Sequence, residues 1–347
     1  MKIVIASNHG AIGGGEVMLL NVARALRSLR HEVTILSPTE PGELLDLAKD
    51  EGFSTISLEA RDRKSYMAQL RVWRAYHRDA FLWCNGLAPS LATAGDQNRL
   101  VHLHQLPTGI QKFAYGVAKK GARLVLVPSY YVAERVPRSV ALENWVAEVS
   151  DSPKVQPQKS HVRIGFLGRP ALIKGTHTLA HALKLLNDSG DRRYELLIGG
   201  EAKFIDASSQ EKVNLALDNL GDKCRLLGWV DPGELFSQSD ILVVPSEVDE
   251  SFGLVAAEAM SARMPLIVSD AGALPEVVGR DYPWVFRQGD SLQLAEMILA
   301  LDEMASEDFS ACQDLLNRSY WRWFENYSPE SGKARVAEII KRIENTD

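Results

Sequence analysis

A loop rich in acidic residues leads into an apolar stretch between Pro245 and Met260. Glu250 lies in that loop, a helix is predicted to begin near Gly253, and Glu258 follows on the helix. The first N–H groups of a helix have no partner within it, and with the helix dipole they favour a bound phosphate. Two carboxylates would then flank an anion site. Taken alone, the spacing of the two glutamates favours a solvated loop and a surface helix. The surrounding residues are therefore needed to distinguish a binding site from an ordinary surface.

The sequence around these two glutamates resembles that of a known family. The run ESFGLVAAE at 250–258, followed by Pro265 and by GALPE at 272–276, resembles the donor-site signature of the retaining glycosyltransferases of the GT-B fold, family 4 (glycosyl transferases group 1). Upstream, FLGR at 166–169 and KG at 174–175 resemble the family's GR…KG element. Three further stretches keep the family's order: LLIGG at 196–200, RLLGWV at 225–230 and SDILVVPS at 239–246. The resemblance covers nearly all of the second half.

The resemblance assigns roles to these residues. Arg169 and Lys174 would bind the donor diphosphate, which suits two cations after a strand end, although alone they would be ordinary surface bases. Glu258 would bind the ribose hydroxyls, and Glu250 would orient the donor sugar and stabilise oxocarbenium character. The other predicted donor-binding residues are Val230 and Phe252, with Gly253 and Leu254 acting through their N–H groups. No metal and no cofactor is expected, because these groups stabilise the leaving diphosphate.

The first half supplies a glycine loop and a histidine. The run Gly13-Gly14-Gly15-Glu16 resembles the family's GGxE loop, in which backbone approaches the donor, so we predict that Gly14 and Gly15 bind it. Alone, the run would be a flexible loop. His104 aligns with a family histidine beside the donor sugar and is predicted to act in catalysis. His102 is the alternative, because strand alternation places both on one face, and a purely structural histidine is the third reading.

Two positions depart from the family pattern. Trp145 stands where the family usually has a glycine, and Arg263 stands where SxGxP is expected. The first could alter the hinge between domains, and the second is predicted to disturb a helix C-cap without affecting the chemistry.

The elements that must position these residues form two Rossmann-like α/β domains. A strand at 2–6, a helix at 16–30 and a strand at 31–36 make a βαβ unit. The polar segment 151–159, with two prolines, is predicted to be a linker. Further strands are predicted at 81–84, 100–104, 124–127, 162–167, 194–198, 223–227, 241–244 and 265–268, and further helices at 176–186, 212–220, 232–237 and from about 253.

This pattern predicts a domain organisation. Residues 1–150 form an acceptor-binding domain and residues 151–347 a nucleotide-sugar-binding domain, with a ligand cleft between them where the carboxyl ends of both sheets face each other. In GT-B relatives the last helix, here about 329–347, crosses back to pack on the first domain. The fold class is therefore α/β, GT-B.

Composition excludes several classes of protein. The 347 residues are 46% hydrophobic and 24% charged, which is ordinary for globular proteins. Three widely spaced cysteines argue against a disulfide framework or a zinc cluster and favour a reducing cytoplasm. No export signal or membrane span is recognised, so we predict a cytoplasmic location. Residues 1–150 carry 18 Lys and Arg against 14 Asp and Glu, a net charge of +4, whereas the remainder carries −10. The halves are expected to meet different partners.

The predicted activity is a retaining hexosyl transfer from a nucleotide-sugar, with UDP favoured and GDP next, to a glycan, a lipid-linked or a small-molecule acceptor. One alternative is a sugar-nucleotide epimerase of the same fold, which would convert the donor without an acceptor. Another is a non-catalytic sugar-nucleotide-binding subunit, which would lack Glu250 or the glycine loop. An NAD-dependent oxidoreductase would show GxGxxG after a strand, and this sequence does not.

A basic stretch at 61–78 interleaves six cations with aromatic and aliphatic residues. As a basic amphipathic helix it could lie on an anionic membrane, giving a peripheral contact on the inner face, or bind a phosphate-bearing acceptor. A helix with a solvated basic face is the simpler reading. Nucleic acid is not an expected partner, because the pI is near 5.8 and no binding module is present.

Overall fold

The computed structural model describes residues 1–150, 161–190, 193–201 and 207–345. The predicted linker at 151–159 lies outside these residues. The chain divides into two compact units, which we call the first unit (Met1–Trp145 with Pro329–Asp347) and the second unit (Val146–Ser328). The division falls between Trp145 and Val146, where we predicted one after Ser150.

Within its described residues, the first unit has a seven-stranded parallel sheet in the order β3-β2-β1-β4-β5-β6-β7. The order reverses between β1 and β4, and in open parallel sheets ligands bind beyond the carboxyl ends at such a point. The strands are β1 (Lys2–Ser7), β2 (Glu32–Pro38), β3 (Ser54–Leu58), β4 (Phe81–Asn85), β5 (Arg99–His102), β6 (Val125–Val127) and β7 (Val140–Ala141). The sequence pattern predicts neither β3 nor β7.

The helices of the first unit cover both faces of this sheet. They are α1 (Gly14–Ser28), α2 (Glu43–Asp50), α3 (Arg63–Tyr76), α4 (Leu87–Ala92), α5 (Ile110–Ala118), α6 (Tyr130–Arg135) and α14 (Pro329–Glu344). Alternation along β1 sends Ile3 and Ile5 into one core cluster and Val4 and Ala6 into another. Both faces of the sheet are therefore buried, as is usual for parallel sheets.

The last helix, α14, belongs to the first unit and packs on α1. Its apolar residues Val336, Ile339, Ile340 and Ile343 recur at helical spacing and enter the core. The return of the chain to its first unit, which the predicted fold class requires, is thus confirmed.

The apolar face of α3 is turned toward the core. Tyr66 and Leu70 are fully buried, and Arg74 is buried in an ion pair with Asp96. The apolar face of α3 is therefore part of the core, and a peripheral contact of residues 61–78 with an anionic membrane stays a prediction. Arg61 and Arg63, at the start of the helix, remain exposed.

Within its described residues, the second unit has a six-stranded parallel sheet in the order β10-β9-β8-β11-β12-β13, which reverses between β8 and β11. The strands are β8 (His161–Leu167), β9 (Arg193–Gly199), β10 (Cys224–Gly228), β11 (Ile241–Val244), β12 (Leu266–Ser269) and β13 (Val285–Phe286). The helices are α7 (Thr176–Ser189), α8 (Ala207–Asp218), α9 (Pro232–Gln238), α10 (Leu254–Ser261), α11 (Leu274–Val278), α12 (Ser291–Glu307) and α13 (Phe309–Tyr327). None of the helices in the described part of the chain is long and apolar enough to span a bilayer.

Candidate functional site

The glycine loop lies at the switch point of the first unit, between the end of β1 and α1. Gly13 is the N-cap of α1, and its carbonyl accepts from the N–H groups of Glu16 and Val17 at 3.0 and 2.9 Å. No side chain among the described residues caps this helix. Gly13, Gly14 and Gly15 line a cavity of about 690 Å³. The start of a long helix is thus presented to a space large enough for a small ligand.

His104 lies against this loop. A Cβ atom at Gly15 would be 3.2 Å from its Cδ2 atom, so glycine at this position lets backbone and ring approach closely. Its Nε2 atom lies 2.6 Å from Asn85 Oδ1, and Asn85 Nδ2 donates to the Gly15 carbonyl at 3.3 Å. Asn85 therefore joins the histidine to the glycine loop.

His102 and His104 lie on the same side, as alternation predicts, with ring centroids 4.3 Å apart. Only His104 lines the cavity, because His102 is fully buried beneath it and accepts from Trp83 Nε1 at 3.3 Å. The predicted strand at 100–104 ends at His102, so His104 lies just beyond it. Burial lowers the pKa of His104 to about 4, and burial together with neighbouring His104 lowers the pKa of His102 well below its usual value. Both rings are neutral near pH 7.

Glu16 is a buried carboxyl at the same site. It accepts from Ser7 Oγ at 3.2 Å, at the end of β1, and burial raises its pKa. No role is predicted from the sequence for Glu16 or for Asn85. For Asn85 the sequence does contain a signal. It is a polar residue at the end of an apolar, fully buried strand beside the switch point, which is where ligands bind in such sheets.

One part of the cavity wall comes from the start of α3 and the residues just before it. Arg61 and Arg63 line it, as does the buried Tyr66, whose hydroxyl has no hydrogen-bond partner among the described residues. Two cations and an unpaired hydroxyl at one wall suit a ligand with anionic or hydroxyl groups.

The second unit has its own site beyond β8 and β11. After β8 the chain turns at Gly168, with φ of +139°, and reaches Arg169, which is exposed. A Cβ atom at Gly200, after β9, would lie 2.1 Å from the Gly168 carbonyl oxygen. This close contact between backbone segments holds Arg169 at the carboxyl edge of the sheet.

Lys174 ends a single 3₁₀ turn, Leu172–Lys174, and Gly175 then caps α7 with φ of +68°. A Cβ atom at Gly175 would be 1.7 Å from the carbonyl oxygen of Pro245, the residue after β11. A side chain at position 175 is therefore excluded both by space and by its left-handed conformation. The lysine turn thus packs directly against the end of β11.

This packing brings Lys174 to Glu250. The Lys174 Nζ atom lies 2.6 Å from Glu250 Oε1, and Ser246 Oγ donates to the same oxygen at 2.6 Å. The Glu250 carbonyl accepts from Ala273 N–H at 2.8 Å, and a Cβ atom at Gly272 would be 2.4 Å from that carbonyl oxygen. Backbone and side chain of Glu250 are both fixed.

The predicted helix after Gly253 is α10. Gly253, with φ of +103°, is its N-cap, and no described side chain caps it, so the N–H groups of the first turn, including that of Leu254, are left for a ligand. Phe252 is buried, with its ring 5.2 Å from that of Tyr327 in an edge-to-face arrangement. The Phe252 ring therefore belongs to the core, and only its backbone could meet a donor.

Glu258 lies further along α10 and is mostly buried. Burial, reinforced by the Asp231 carboxylate, raises its pKa to about 7. Val230, the residue before Asp231, packs against β9, where its Cγ2 atom would be 2.6 Å from a Cβ atom at Gly199. Glu258 and Val230 thus both lie near the loop that follows β10.

Arg263 lies at the C-terminal end of α10, where the sequence predicts a disturbed cap. It follows the C-cap Ala262 and has φ of +51°. Its guanidinium lies 3.5 Å from the centre of the Tyr320 ring on α13. The cap is therefore kept in the conformation usual for glycine, with a cation–π contact offsetting its cost.

Comparison with known proteins finds a family match within the second unit. Residues 161–303 match the family Glycosyl transferases group 1. This segment contains Arg169, Lys174, Glu250 and Glu258. In the described part of the chain, no group of three or more His, Cys, Asp or Glu side chains is arranged to hold a metal ion.

Relatives match different lengths of the chain. The D-inositol 3-phosphate glycosyltransferase of Corynebacterium efficiens is 37% identical over 120 residues, 33% of this chain and 28% of that protein. The chain thus covers less than a third of the length of the relative. Spore coat protein SA of Bacillus subtilis is 25% identical over 324 residues, 80% of this chain and 83% of that protein.

Solved structures match the whole chain. HepE of Anabaena, in complex with UDP and glucose, has a TM-score of 0.79 at 18% identity over 98% of this chain and 99% of that one. Sucrose-phosphate synthase of Thermosynechococcus elongatus has a TM-score of 0.81 at 18% identity and covers both chains completely. The predicted fold, two parallel-sheet Rossmann-like domains as in GT-B glycosyltransferases, is confirmed.

Proposed function

We propose that the chain is a retaining glycosyltransferase of family 4 that moves a hexose from a nucleotide-sugar to an acceptor. The observation that carries this proposal is the Lys174–Glu250 pair beside the glycine-capped start of α10. A cation for a leaving diphosphate and a carboxylate for a sugar are held together there, within the segment that matches the glycosyl transferases group 1.

The leaving diphosphate would be stabilised by cations and N–H groups. The ammonium group of Lys174 has three N–H donors, and its bond to Glu250 uses one, so it can also bond to phosphate oxygens. Arg169 and the N–H groups of Gly253 and Leu254 would share the charge that accumulates as the bond to the sugar breaks. In the first unit, the N–H groups of Gly14 and Gly15 would contact the donor. On this basis we propose that the reaction needs no divalent metal and no cofactor.

Glu250 would act on the sugar. With Oε1 held by Lys174 and Ser246, its second carboxylate oxygen can accept from a ring hydroxyl and stabilise oxocarbenium character at the anomeric carbon. Departure of the diphosphate and entry of the acceptor on one face would then retain the configuration.

Glu258 would accept from the ribose hydroxyls of the nucleotide, next to Val230. We favour UDP as the nucleotide and place GDP second. The HepE complexes with UDP and with UDP-glucose support this order, because they have the same fold.

The acceptor would occupy the cavity of the first unit, with His104 at its wall. Arg61, Arg63 and the unpaired Tyr66 hydroxyl suit a phosphate or several hydroxyl groups. A glycan, a lipid-linked sugar phosphate and a phosphorylated small molecule all have such groups. The three cysteines are free thiols, which supports a reducing, cytoplasmic location.

Nucleotide binding tests the donor site. We expect one nucleoside diphosphate among UDP, GDP, ADP and dTDP to raise the unfolding temperature, whereas NAD does not. A ligand at 100 times its Kd adds about 2.7 kcal/mol to the free energy of unfolding, or several degrees. Glu258→Ala should abolish the shift, and the exposed Glu296→Ala should keep it. A shift with NAD alone would contradict the proposal.

Product analysis tests the reaction. The purified protein is incubated with the matching nucleotide-sugar and a panel of acceptors, with and without EDTA, and the anomeric configuration is read by proton NMR. We expect a product with the donor's configuration and the same rate with EDTA. Conversion of the donor without an acceptor would favour the epimerase, and nucleotide binding without any turnover would favour the non-catalytic subunit.

A further inference from the structure

The hydrogen bonds around His102 and His104 form two short segments, and the direction of each can be determined from its end. Trp83 and His102 form one segment, and His104 and Asn85 form the other, in which Asn85 meets the glycine loop. Trp83, His102 and Asn85 are buried and His104 is half-buried, and none of the four lies in the segment that matches the family model.

The first end is the carbonyl group of Gly15, which can only accept. Asn85 must therefore turn its amide NH₂ toward that carbonyl, where Nδ2 lies 3.3 Å from the oxygen. The opposite orientation would set two oxygens against each other. The amide oxygen of Asn85 consequently faces His104.

An amide oxygen also only accepts, so the His104 Nε2 atom, 2.6 Å away, must carry a proton. A neutral imidazole has one N–H group, so Nδ1 of His104 is a bare acceptor. In the described part of the chain this buried atom has no hydrogen-bond partner.

The second end is the indole of Trp83, which only donates. Its Nε1–H group points to Nδ1 of His102 at 3.3 Å, so the single proton of His102 is on Nε2. This atom, too, is buried and has no partner among the described residues. The two atoms left over are thus one donor and one acceptor, on rings whose centroids are 4.3 Å apart.

We infer that Asn85 is the positioning residue that fixes both the His104 tautomer and the Gly15 carbonyl. It connects His104, just beyond β5, to the start of α1. Because His104 gives its only proton to Asn85, it presents a neutral ring to the cavity. The consequence for donor binding rests on the proposed function, whereas the tautomers do not.

Nitrogen-15 NMR of the full chain, labelled at histidine, tests the tautomers directly. The signals of His102 and His104 are assigned by their loss in His102→Gln and His104→Gln. We expect both rings to be neutral and protonated at Nε2 from pH 6 to pH 8. A His104 ring protonated at Nδ1, or one that exchanges between tautomers, overturns the proposal without any variant of Asn85.

Two substitutions separate the two contacts of Asn85. Asn85→Asp keeps an acceptor for His104 but loses the donor to Gly15, so the His104 tautomer should persist while the Gly15 amide signal moves. Asn85→Leu loses both contacts, so His104 should become a mixture of tautomers. The exposed Asn219→Leu is the control and should change neither signal. An unchanged His104 tautomer in Asn85→Leu would show that Asn85 does not fix it.

A binding measurement connects Asn85 to the proposed function. We expect Asn85→Asp to weaken binding of the nucleoside diphosphate about 5- to 10-fold, in the range of one neutral hydrogen bond. Full affinity in Asn85→Asp would overturn the positioning of the glycine loop. If no nucleotide binds even the unaltered protein, the proposed function fails, while the tautomer result still stands or falls on its own spectrum.

Discussion

The ammonium nitrogen of Lys174 lies 2.6 Å from the Oε1 atom of Glu250, although 76 residues separate them in the chain. Both side chains are partly buried, and Ser246 donates to the same carboxylate oxygen. The pair is therefore held in place by contacts within the second unit. A site whose charges are already oriented needs little reorganisation when negative charge develops on a leaving group.

Lys174→Met should reduce turnover at least about 100-fold, because loss of one group that stabilises charge in a transition state typically costs that much. It should also leave Glu250 as an unpaired, mostly buried carboxylate. Steady-state kinetics and nucleotide affinity measure both effects. Lys184→Met is the matched control, since Lys184 forms an exposed ion pair with Asp188 on the surface of α7 and should keep full activity. Equal activity of the two variants would contradict the assigned role.

Glu258 should make stability depend on pH. Its folded-state pKa of about 7 exceeds the usual value of 4.5, so the folded protein binds this proton more tightly than the unfolded chain. The free energy of unfolding should therefore fall as pH rises from 4.5 to 7, by roughly 1–3 kcal/mol, and level off above 7. Urea unfolding at several pH values measures this loss.

In Glu258→Gln this part of the pH dependence should disappear, because the amide does not ionise. The exposed Glu296→Gln controls for loss of a surface carboxylate and should keep the slope. A slope that persists in Glu258→Gln would place its origin in another group.

At position 263, glycine should be more stabilising than alanine, which reverses the order usual within a helix. At φ of +51° an alanine keeps the strain of a left-handed conformation and loses the stacking on Tyr320, whereas glycine relieves the strain. We expect Arg263→Gly to be more stable than Arg263→Ala by about 1 kcal/mol in urea unfolding. At Lys212, inside α8, alanine should instead exceed glycine by about the same amount. The same order at both positions would refute the role of the backbone conformation.

Gly332→Ala should destabilise the first unit. A Cβ atom there would lie 2.2 Å from the Trp145 ring, and such overpacking costs about 1–3 kcal/mol. The cost should shrink in the background Trp145→Leu, which a double-mutant cycle by urea unfolding can measure. Gly116→Ala is the control, since nothing lies within 4 Å of its Cβ position in α5, and it should stabilise slightly. Additive effects at 332 and 145 would exclude the steric explanation.

The local hydrophobic pattern was sufficient to predict the positions of the buried strands. The apolar runs of β1, β8 and β11 are short, rich in Ile and Val, and bounded by turns, so their positions were predicted within one or two residues. Strand β3 was missed because STISL is polar and only partly buried, so neither a continuous apolar run nor a clear alternation marks it. The two-residue strand β7 is too short to leave a pattern.

The features of the candidate site also divide into those that local sequence predicts and those that it does not. The glycine caps of α7 and α10 follow from sequence, because loop, glycine and helix are contiguous. Lys174 meeting Glu250, and Asn85 meeting both His104 and Gly15, depend on contacts between distant segments. The sequence predicts that Phe252 binds the donor, but its ring packs in the core. The reason is again a distant contact, because Tyr327, which the ring meets, lies 75 positions later in the sequence.

The packing of α14 in the first unit has a consequence for synthesis on the ribosome. Domains usually fold as they emerge, starting from the N-terminal one. Here residues 1–145 leave the ribosome with the surface of α1 that receives Val336, Ile340 and Ile343 still uncovered. The second unit can complete its own core before the first unit receives its last helix. The part of the chain that is made first is therefore the part that finishes folding last.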